Sequence, residues 1–261
     1  MKIQEFCEMM ERIAPHALAM EGDRIGLLIG TDREEIRKVL VALDLTVQVA
    51  EEAVNGGFDL VLTHHPIFWQ PVTCIDPDRF ETAAAYRLIR NGIGMYAAHT
   101  NLDAAVGGVN DSLAEELCLH HVRPLPPDNL GRIGELPHEM SFGDFVSHCE
   151  KTLHAKAHVI GYPLDPVYTV ALIGGAGGED IEAVKQAACD VFVTGEMKHH
   201  QALEAAYLGL HCCVLGHYET ENIVLKPLIS RLQKENSDVQ YSLTQSGIAP
   251  MPCLQGGTLN E

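Results

Sequence analysis

The sequence predicts an α/β protein of two similar lobes with mainly parallel sheets. Short runs rich in Val, Leu and Ile, such as KVLVALDLT over residues 38–46, are typical of strands that are covered on both faces. Helical segments separate these runs, and strands that alternate with helices through right-handed crossovers build a parallel sheet. The length of 261 residues and the recurrence of this pattern in the second half indicate two lobes.

The first half alternates regularly between strands and helices. Gly56 and Gly57 follow one predicted helix, as expected of a C-terminal stop. The elements expected here are a helix near 3–14, strands at 24–30 and 38–46, a helix at 46–55, a strand at 58–63, a helix at 81–92, a strand at 93–98 and a helix at 110–118.

Residues 122–140 contain four prolines and two glycines, so we predict a link between the lobes there. The first lobe is expected over residues 1–123 and the second over 124–261, and the C-terminal strand could return to the first lobe. Ser141 and Asp144 have the spacing of a capping box and predict a helix start. The elements that follow are strands at 157–162 and 167–175, a helix at 179–188, a strand at 191–196, a helix at 199–209, a strand at 211–216, a helix at 220–235 and a strand at 239–245.

The composition narrows the classes of partner and compartment. Lys and Arg number 18 against 36 Asp and Glu, which gives a net charge of −18. This balance argues against nucleic acid and membranes as partners, because binding to either relies on basic patches. The N-terminus lacks the apolar core of a signal peptide, and no window is apolar enough to span a membrane. The eight cysteines include no CxxC pair, so we expect reduced thiols in a cytoplasmic protein.

Histidines and carboxylates follow several predicted strands. Ligands of parallel sheets bind beyond the carboxyl ends of the strands, so this position carries functional information. The side chains expected there are His64 and His65 after strand residues 58–63, His99 and Asp103 after 93–98, Glu196 and then His200 after 191–194, and His217 and Glu221 after 211–215.

Five of these residues predict a metal site: His64, His65, Asp103, His217 and Glu221. Neighbouring imidazoles just beyond a strand end can each address a different ion, and His217 and Glu221 share one helix face at i and i+4. Three imidazoles and two carboxylates suit Zn, Fe or Mn, and so few ligands leave open positions on two ions. Taken singly, Asp103 could instead be a turn or capping residue, and His217 with Glu221 an ordinary surface pair.

Three further side chains are assigned less central roles. His99 is expected to orient a metal-binding side chain without binding the metal itself, or to shuttle protons. It could instead be a metal ligand or a buried, hydrogen-bonded imidazole. Glu196 and His200 are weaker candidates for the site. The glycine-rich segment 174–178 precedes a helix and could cradle phosphate, but it lacks the P-loop Lys-Ser/Thr, which favours a tight turn.

Seven motifs occur in an order that resembles the NIF-three-like family, also described as dinuclear metal centre proteins and GTP cyclohydrolase I type 2 homologues. They are GDRIGLLIG, LTHHPIFW, AAHTNLDAAVGGVND, GRIGELP, IGGAGG, DVFVTGEMKHH and GHYETE, over roughly residues 22–223. The resemblance implies two α/β lobes with a dinuclear metal site in the cleft between them, two divalent ions per subunit, and a toroidal homohexamer. It assigns as metal ligands the same five residues. Arg24 departs from the family, where Asn is common at that position.

These observations predict a dinuclear metal-dependent hydrolase for a nucleotide or similar small polar substrate. The resemblance implies ring opening of GTP with release of formate. Two alternatives stay open: a non-catalytic oligomer that handles metals or has a regulatory role, and an interaction scaffold whose ions are structural.

Overall fold

A computed structural model describes residues 1–250 and confirms the α/β class, with two sheets and helices around them. The α-helices are α1 (Ile3–Ile13), α2 (Val47–Asn55), α3 (Phe80–Arg90), α4 (Thr100–Ala104), α5 (Val109–Glu116), α6 (Phe142–Leu153), α7 (Ile181–Gln186), α8 (His199–Tyr207), α9 (His217–Glu221) and α10 (Leu225–Glu235). The strands are β1 (Gly26–Ile29), β2 (Lys38–Ala42), β3 (Leu60–Thr63), β4 (Gly94–Ala97), β5 (His120–Pro124), β6 (Arg132–Ser141), β7 (His158–Ile160), β8 (Pro166–Ile173), β9 (Val191–Thr194), β10 (His211–Val214) and β11 (Gln240–Leu243).

The first compact unit contains residues 1–108 and 224–247. Its sheet has the order β1-β4-β3-β2-β11. The pairs β4–β3, β3–β2 and β2–β11 are parallel, and the edge strand β1 runs antiparallel to β4. The parallel arrangement predicted from the apolar strands therefore holds in this unit.

Helices cover both faces of the first sheet. Leu40 and Val61 pack with Ala50 of α2 and Leu88 of α3 in one buried cluster. On the other side Tyr96 meets Phe6 of α1 edge to face, with ring centroids 5.7 Å apart. Such double coverage explains why these strands are apolar at consecutive positions and do not alternate with polar residues.

The second unit contains residues 109–223, and its sheet has the order β5-β6-β8-β9-β10-β7. The central strands β8, β9 and β10 are parallel, whereas β5–β6, β6–β8 and β7–β10 are antiparallel, so this sheet is mixed. One buried cluster joins the sheet to α5 and α6, and another joins it to α7 and α8.

The predicted link at 122–140 is wrong. This segment holds the end of β5 and most of β6, which pair with each other in the second sheet. Its four prolines occupy positions compatible with this sheet: Pro124 ends β5, Pro126 and Pro127 lie in the turn before β6, and Pro137 lies where the register of β6 shifts between Glu135 and Met140. The division between the units falls at Gly108, not at residue 123, and the chain re-enters the first unit at Val224.

Side-chain hydroxyls cap two helix starts, and the cap at Ser141 confirms the one that the sequence predicts. The Thr46 hydroxyl accepts a hydrogen bond from the Val49 amide, and the Ser141 hydroxyl accepts one from the Asp144 amide, at 3.2 and 3.1 Å. The helix expected over 220–235 is divided into α9, a 3₁₀ turn and α10. Among residues 1–250, none of the helices has the length and hydropathy needed to cross a membrane.

Arg132, the first residue of β6, is expected to stabilise the fold through a buried ion pair. Its buried guanidinium contacts the Asp111 carboxylate and donates to the carbonyls of Asn129, Leu130 and Gly131. We expect Arg132→Met to lower the free energy of unfolding by about 3 kcal/mol, because it leaves a largely buried carboxylate without its charged partner. Urea unfolding followed by circular dichroism measures this. Arg37→Met, which breaks an exposed pair with Glu35, is the control and should leave stability unchanged. Equal effects of the two substitutions would contradict a structural role for Arg132.

Candidate metal centre

The first unit brings three histidines together through the register of its parallel strands. Ala42 pairs with Thr63, and Thr63 pairs with Ala97. Two residues further along each strand, this register aligns Asp44, His65 and His99 at one edge of the sheet. The metal-binding atoms of His64, His65 and His99 all lie within 4.8 Å of one another.

Each of these imidazoles has an oxygen acceptor at Nδ1. His64 Nδ1 lies 2.8 Å from the carbonyl oxygen of Ala98, and His65 Nδ1 lies 2.7 Å from Asp44 Oδ1. His99 Nδ1 lies 2.9 Å from Asp23 Oδ1. Since a carbonyl or carboxylate only accepts, the ring proton belongs on Nδ1 in each case. Nε2 then carries the lone pair, which is the usual arrangement around metal-binding histidines.

Asp23 is ionised and holds His99 firmly. Burial raises the pKa of the Asp23 carboxyl, but hydrogen bonds from His99 and Thr100 outweigh this effect and hold the pKa well below its usual range. The carboxylate accepts from the Thr100 amide at 3.1 Å and from the Thr100 hydroxyl. His99 therefore has a fixed tautomer, with Nε2 on the side away from Asp23.

Asp103 is buried in α4, beside His64. Its backbone amide donates to the His99 carbonyl at 3.0 Å, which fixes the turn of helix that carries it. Asp103 Oδ1 lies 3.5 Å from His64 Nε2. With the His64 proton on Nδ1, these two atoms are both acceptors, and such a pair is favourable only with a cation or a proton between them. A nitrogen and an oxygen lone pair this close together are suitable ligands for a divalent ion.

In the second unit, α9 presents His217 and Glu221 on one face, directly after β10 and Gly216. His217 Nε2 lies 3.0 Å from Glu221 Oε2, and His217 Nδ1 lies 3.3 Å from Glu196 Oε1. A neutral imidazole donates only one hydrogen bond, so a ring between two carboxylates requires an extra proton or a metal ion. Glu221 is only 3% exposed, which makes an ordinary surface pair a poor description of these residues.

The glycine-rich segment 174–178 forms a tight turn beneath Glu221. The amides of Gly174, Gly175 and Gly177 donate to side-chain oxygens of Asn110, Thr220 and Thr194. These amides therefore point into the protein, as a tight turn requires, and are not directed at a phosphate. Gly175 has φ of 65°, and a Cβ atom there would overlap Oε1 of Glu221. This glycine allows the carboxylate to approach the turn closely.

The two weaker candidates differ in position. Glu196 contacts His217, as described above, and both residues line a cavity of about 470 Å³ in the second unit. His200 lies exposed on α8 and belongs to none of the possible metal-binding groups found within the described residues. Asp44 and Asp23 were not predicted. Asp44 follows the buried strand β2, so the strand-end rule that selected His65 could also have selected it.

The chain matches known proteins along nearly its whole length. Residues 1–251 match the model of the Duf34/NIF3 (NGG1p interacting factor 3) family. A Methanocaldococcus jannaschii protein named GTP cyclohydrolase 1 type 2 homolog is 36% identical over 234 residues, which are 87% of this chain and 92% of that protein. A Streptomyces coelicolor protein with the same name is 34% identical, over 84% of this chain and 81% of the relative.

Solved structures share the fold. A Bacillus cereus protein related to NIF3 superposes with a TM-score of 0.91 at 27% identity, covering 97% of this chain and 99% of the other. Reduced HcgD from Methanocaldococcus jannaschii superposes with a TM-score of 0.83 at 33% identity, covering 94% and 98%. These findings agree with the resemblance drawn from the motifs, and the chain belongs to the Duf34/NIF3 family.

Proposed function

We propose that the protein is a dinuclear metal-dependent hydrolase acting on a nucleotide or similar small polar substrate. The proposed ligands of the two ions, which would be Zn, Fe or Mn, are His64, His65, Asp103, His217 and Glu221. The observation that carries the proposal is the fixed Nδ1 of His64 and His65, which leaves Nε2 of each ring as the ligand atom. The names of the relatives, GTP cyclohydrolase 1 type 2 homolog, support a nucleotide as substrate.

The chain's own residues divide the work of hydrolysis. Two divalent ions, when bound, would supply Lewis-acid charge that polarises a substrate bond and lowers the pKa of a bound water to near neutrality. His99, held at Nδ1 by Asp23, would accept a proton at Nε2 from the attacking water and return it to the leaving group. In the second unit, the cavity beside His217 is large enough for part of a small substrate, with Lys156 and Lys198 at its rim.

We also propose a cytoplasmic homo-oligomer, with a hexamer as the expected assembly. The hexamer is supported by the family resemblance, and the exposed thiols of Cys74 and Cys118 suit a reducing compartment. Light scattering after size-exclusion chromatography measures the assembly directly.

The first prediction concerns turnover. Metal-loaded protein incubated with GTP should release formate if the ring opens, or phosphate if the phosphates are attacked. We expect His65→Ala and Asp103→Ala each to lower the rate at least about 100-fold and to reduce the bound metal measured by mass spectrometry. His138→Ala, which removes an exposed histidine of β6, is the control. Full activity of His65→Ala would contradict the hydrolase, and metal binding without turnover of any nucleotide tested would favour metal handling.

The second prediction concerns Asp44. An Asn side chain at this position lacks the negative charge that holds the His65 Nδ1 proton, so the ring loses its fixed tautomer. We expect Asp44→Asn to weaken metal binding about 10- to 100-fold, as measured by competition with a chelator dye. Asp32→Asn, at an exposed position of the same unit, should bind metal like the wild type. Unchanged affinity in Asp44→Asn would remove the assigned role.

The third prediction uses two glycines with the same positive φ. Gly175 and Gly209 both have φ of 65°, but a Cβ atom at Gly209 would meet nothing within 4 Å. Both alanine substitutions should lower the free energy of unfolding by about 1 kcal/mol through backbone strain. Only Gly175→Ala should also displace Glu221 and weaken metal binding, measured by calorimetry. Equal metal affinity in the two variants would show that Glu221 does not need this close approach.

A further inference from the structure

The loop that follows His65 carries the one tryptophan of the 261-residue chain, Trp69. The Trp69 ring centroid lies 5.2 Å from that of His99, at an interplanar angle of 84°, and 6.3 Å from that of His65. The side chain is nevertheless 57% exposed. A large aromatic surface thus remains open to solvent immediately beside the imidazoles of the first unit.

This placement suits recognition better than core packing. An indole ring contributes most to stability when it is buried, and more than half of this residue is not. Its contact with His99 is edge to face, which is a favourable aromatic geometry and holds the indole in a defined orientation. An oriented indole with open surface is a stacking platform for a planar ring, and stacking on aromatic side chains is a common means of binding bases.

The surroundings favour a planar ring over an organic cation. Sites that recognise quaternary ammonium groups surround the cation with several aromatic rings. Within residues 1–250, the rings beside Trp69 are the imidazoles of His65 and His99, and they do not enclose the indole in such a cage. A planar ring needs only one open aromatic face on which to stack.

We infer that Trp69 determines substrate specificity by stacking on a planar heteroaromatic ring of the nucleobase class and holding it beside His65 and His99. This inference rests on the proposed function and narrows it, because it requires a base in the substrate and not only a phosphate.

The single tryptophan makes the inference measurable without turnover. Zinc-loaded protein, excited at the red edge of the indole band, is titrated with guanosine and, separately, with ribose 5-phosphate and inorganic triphosphate. We expect saturable quenching by guanosine and none by the two phosphates. Free N-acetyltryptophanamide, titrated in parallel, corrects for light absorbed by the nucleoside.

Calorimetry on variants completes the test. Trp69→Leu should bind guanosine about 5- to 150-fold more weakly than the wild type, and Trp69→Phe should recover most of the affinity. Phe80→Leu is the matched control, since Phe80 is a 95% exposed aromatic residue at the start of α3, the helix that follows this loop. All variants should retain the metal content of the wild type.

The outcomes separate the two proposals. Intact metal binding with no guanosine binding, or with equal affinity in wild type and Trp69→Leu, would overturn the stacking role and leave the metal-dependent hydrolase standing. Quenching by inorganic triphosphate as strong as that by guanosine would also overturn the stacking role. A wild-type protein that binds no divalent metal would overturn the proposed function, and this inference with it.

Discussion

The contact between an imidazole Nδ1 and an oxygen acceptor is the interaction on which the candidate centre depends. In the first unit the acceptors are the Ala98 carbonyl for His64, Asp44 for His65 and Asp23 for His99. Each contact selects one tautomer and fixes one ring plane, so the direction of the Nε2 lone pair is set before any ligand arrives. The orientation of these rings therefore depends on the backbone, because the parallel strand register places Ala98 beside His64 and Asp44 beside His65.

The same arrangement has an energetic cost that a cation would relieve. Asp103 and Glu221 are 7% and 3% exposed, and burial of a carboxylate is unfavourable unless it is paired with positive charge. Both carboxylates approach an imidazole Nε2. Gly175 makes room for one of these carboxylates, because a Cβ atom at this position would overlap Glu221. The net charge of −18 acts in the same direction by attracting cations over longer distances.

Sequence reasoning succeeded where the signal is local and failed where the partner is distant. The apolar run before His64, the cap at Ser141 and the placement of histidines after strands are all contained in a few consecutive residues. The pairing of β6 with β5 and β8 is not, so the composition of 122–140 indicates a link although its prolines lie at a strand end, in a turn between paired strands and at a register shift. Asp44 also follows a strand, but its pairing with His65 depends on the register between β2 and β3, which no local pattern provides. The acceptor of His64 is a backbone carbonyl, which no side-chain motif can reveal.

The residues around the ligands also bear on the choice between catalysis and metal handling. A site that only stores or transfers ions needs its ligands and a route for the ion. The first unit has more than this: His99 lies next to His64 and His65, the proposed ligands, and Asp23 gives it a defined tautomer, as a proton shuttle requires. Trp69 adds an oriented aromatic surface that binding of an ion alone would not need. A centre that combines a positioned base with a platform for a planar ring has the parts needed to act on a substrate, and this combination favours the hydrolase over the metal-handling alternative.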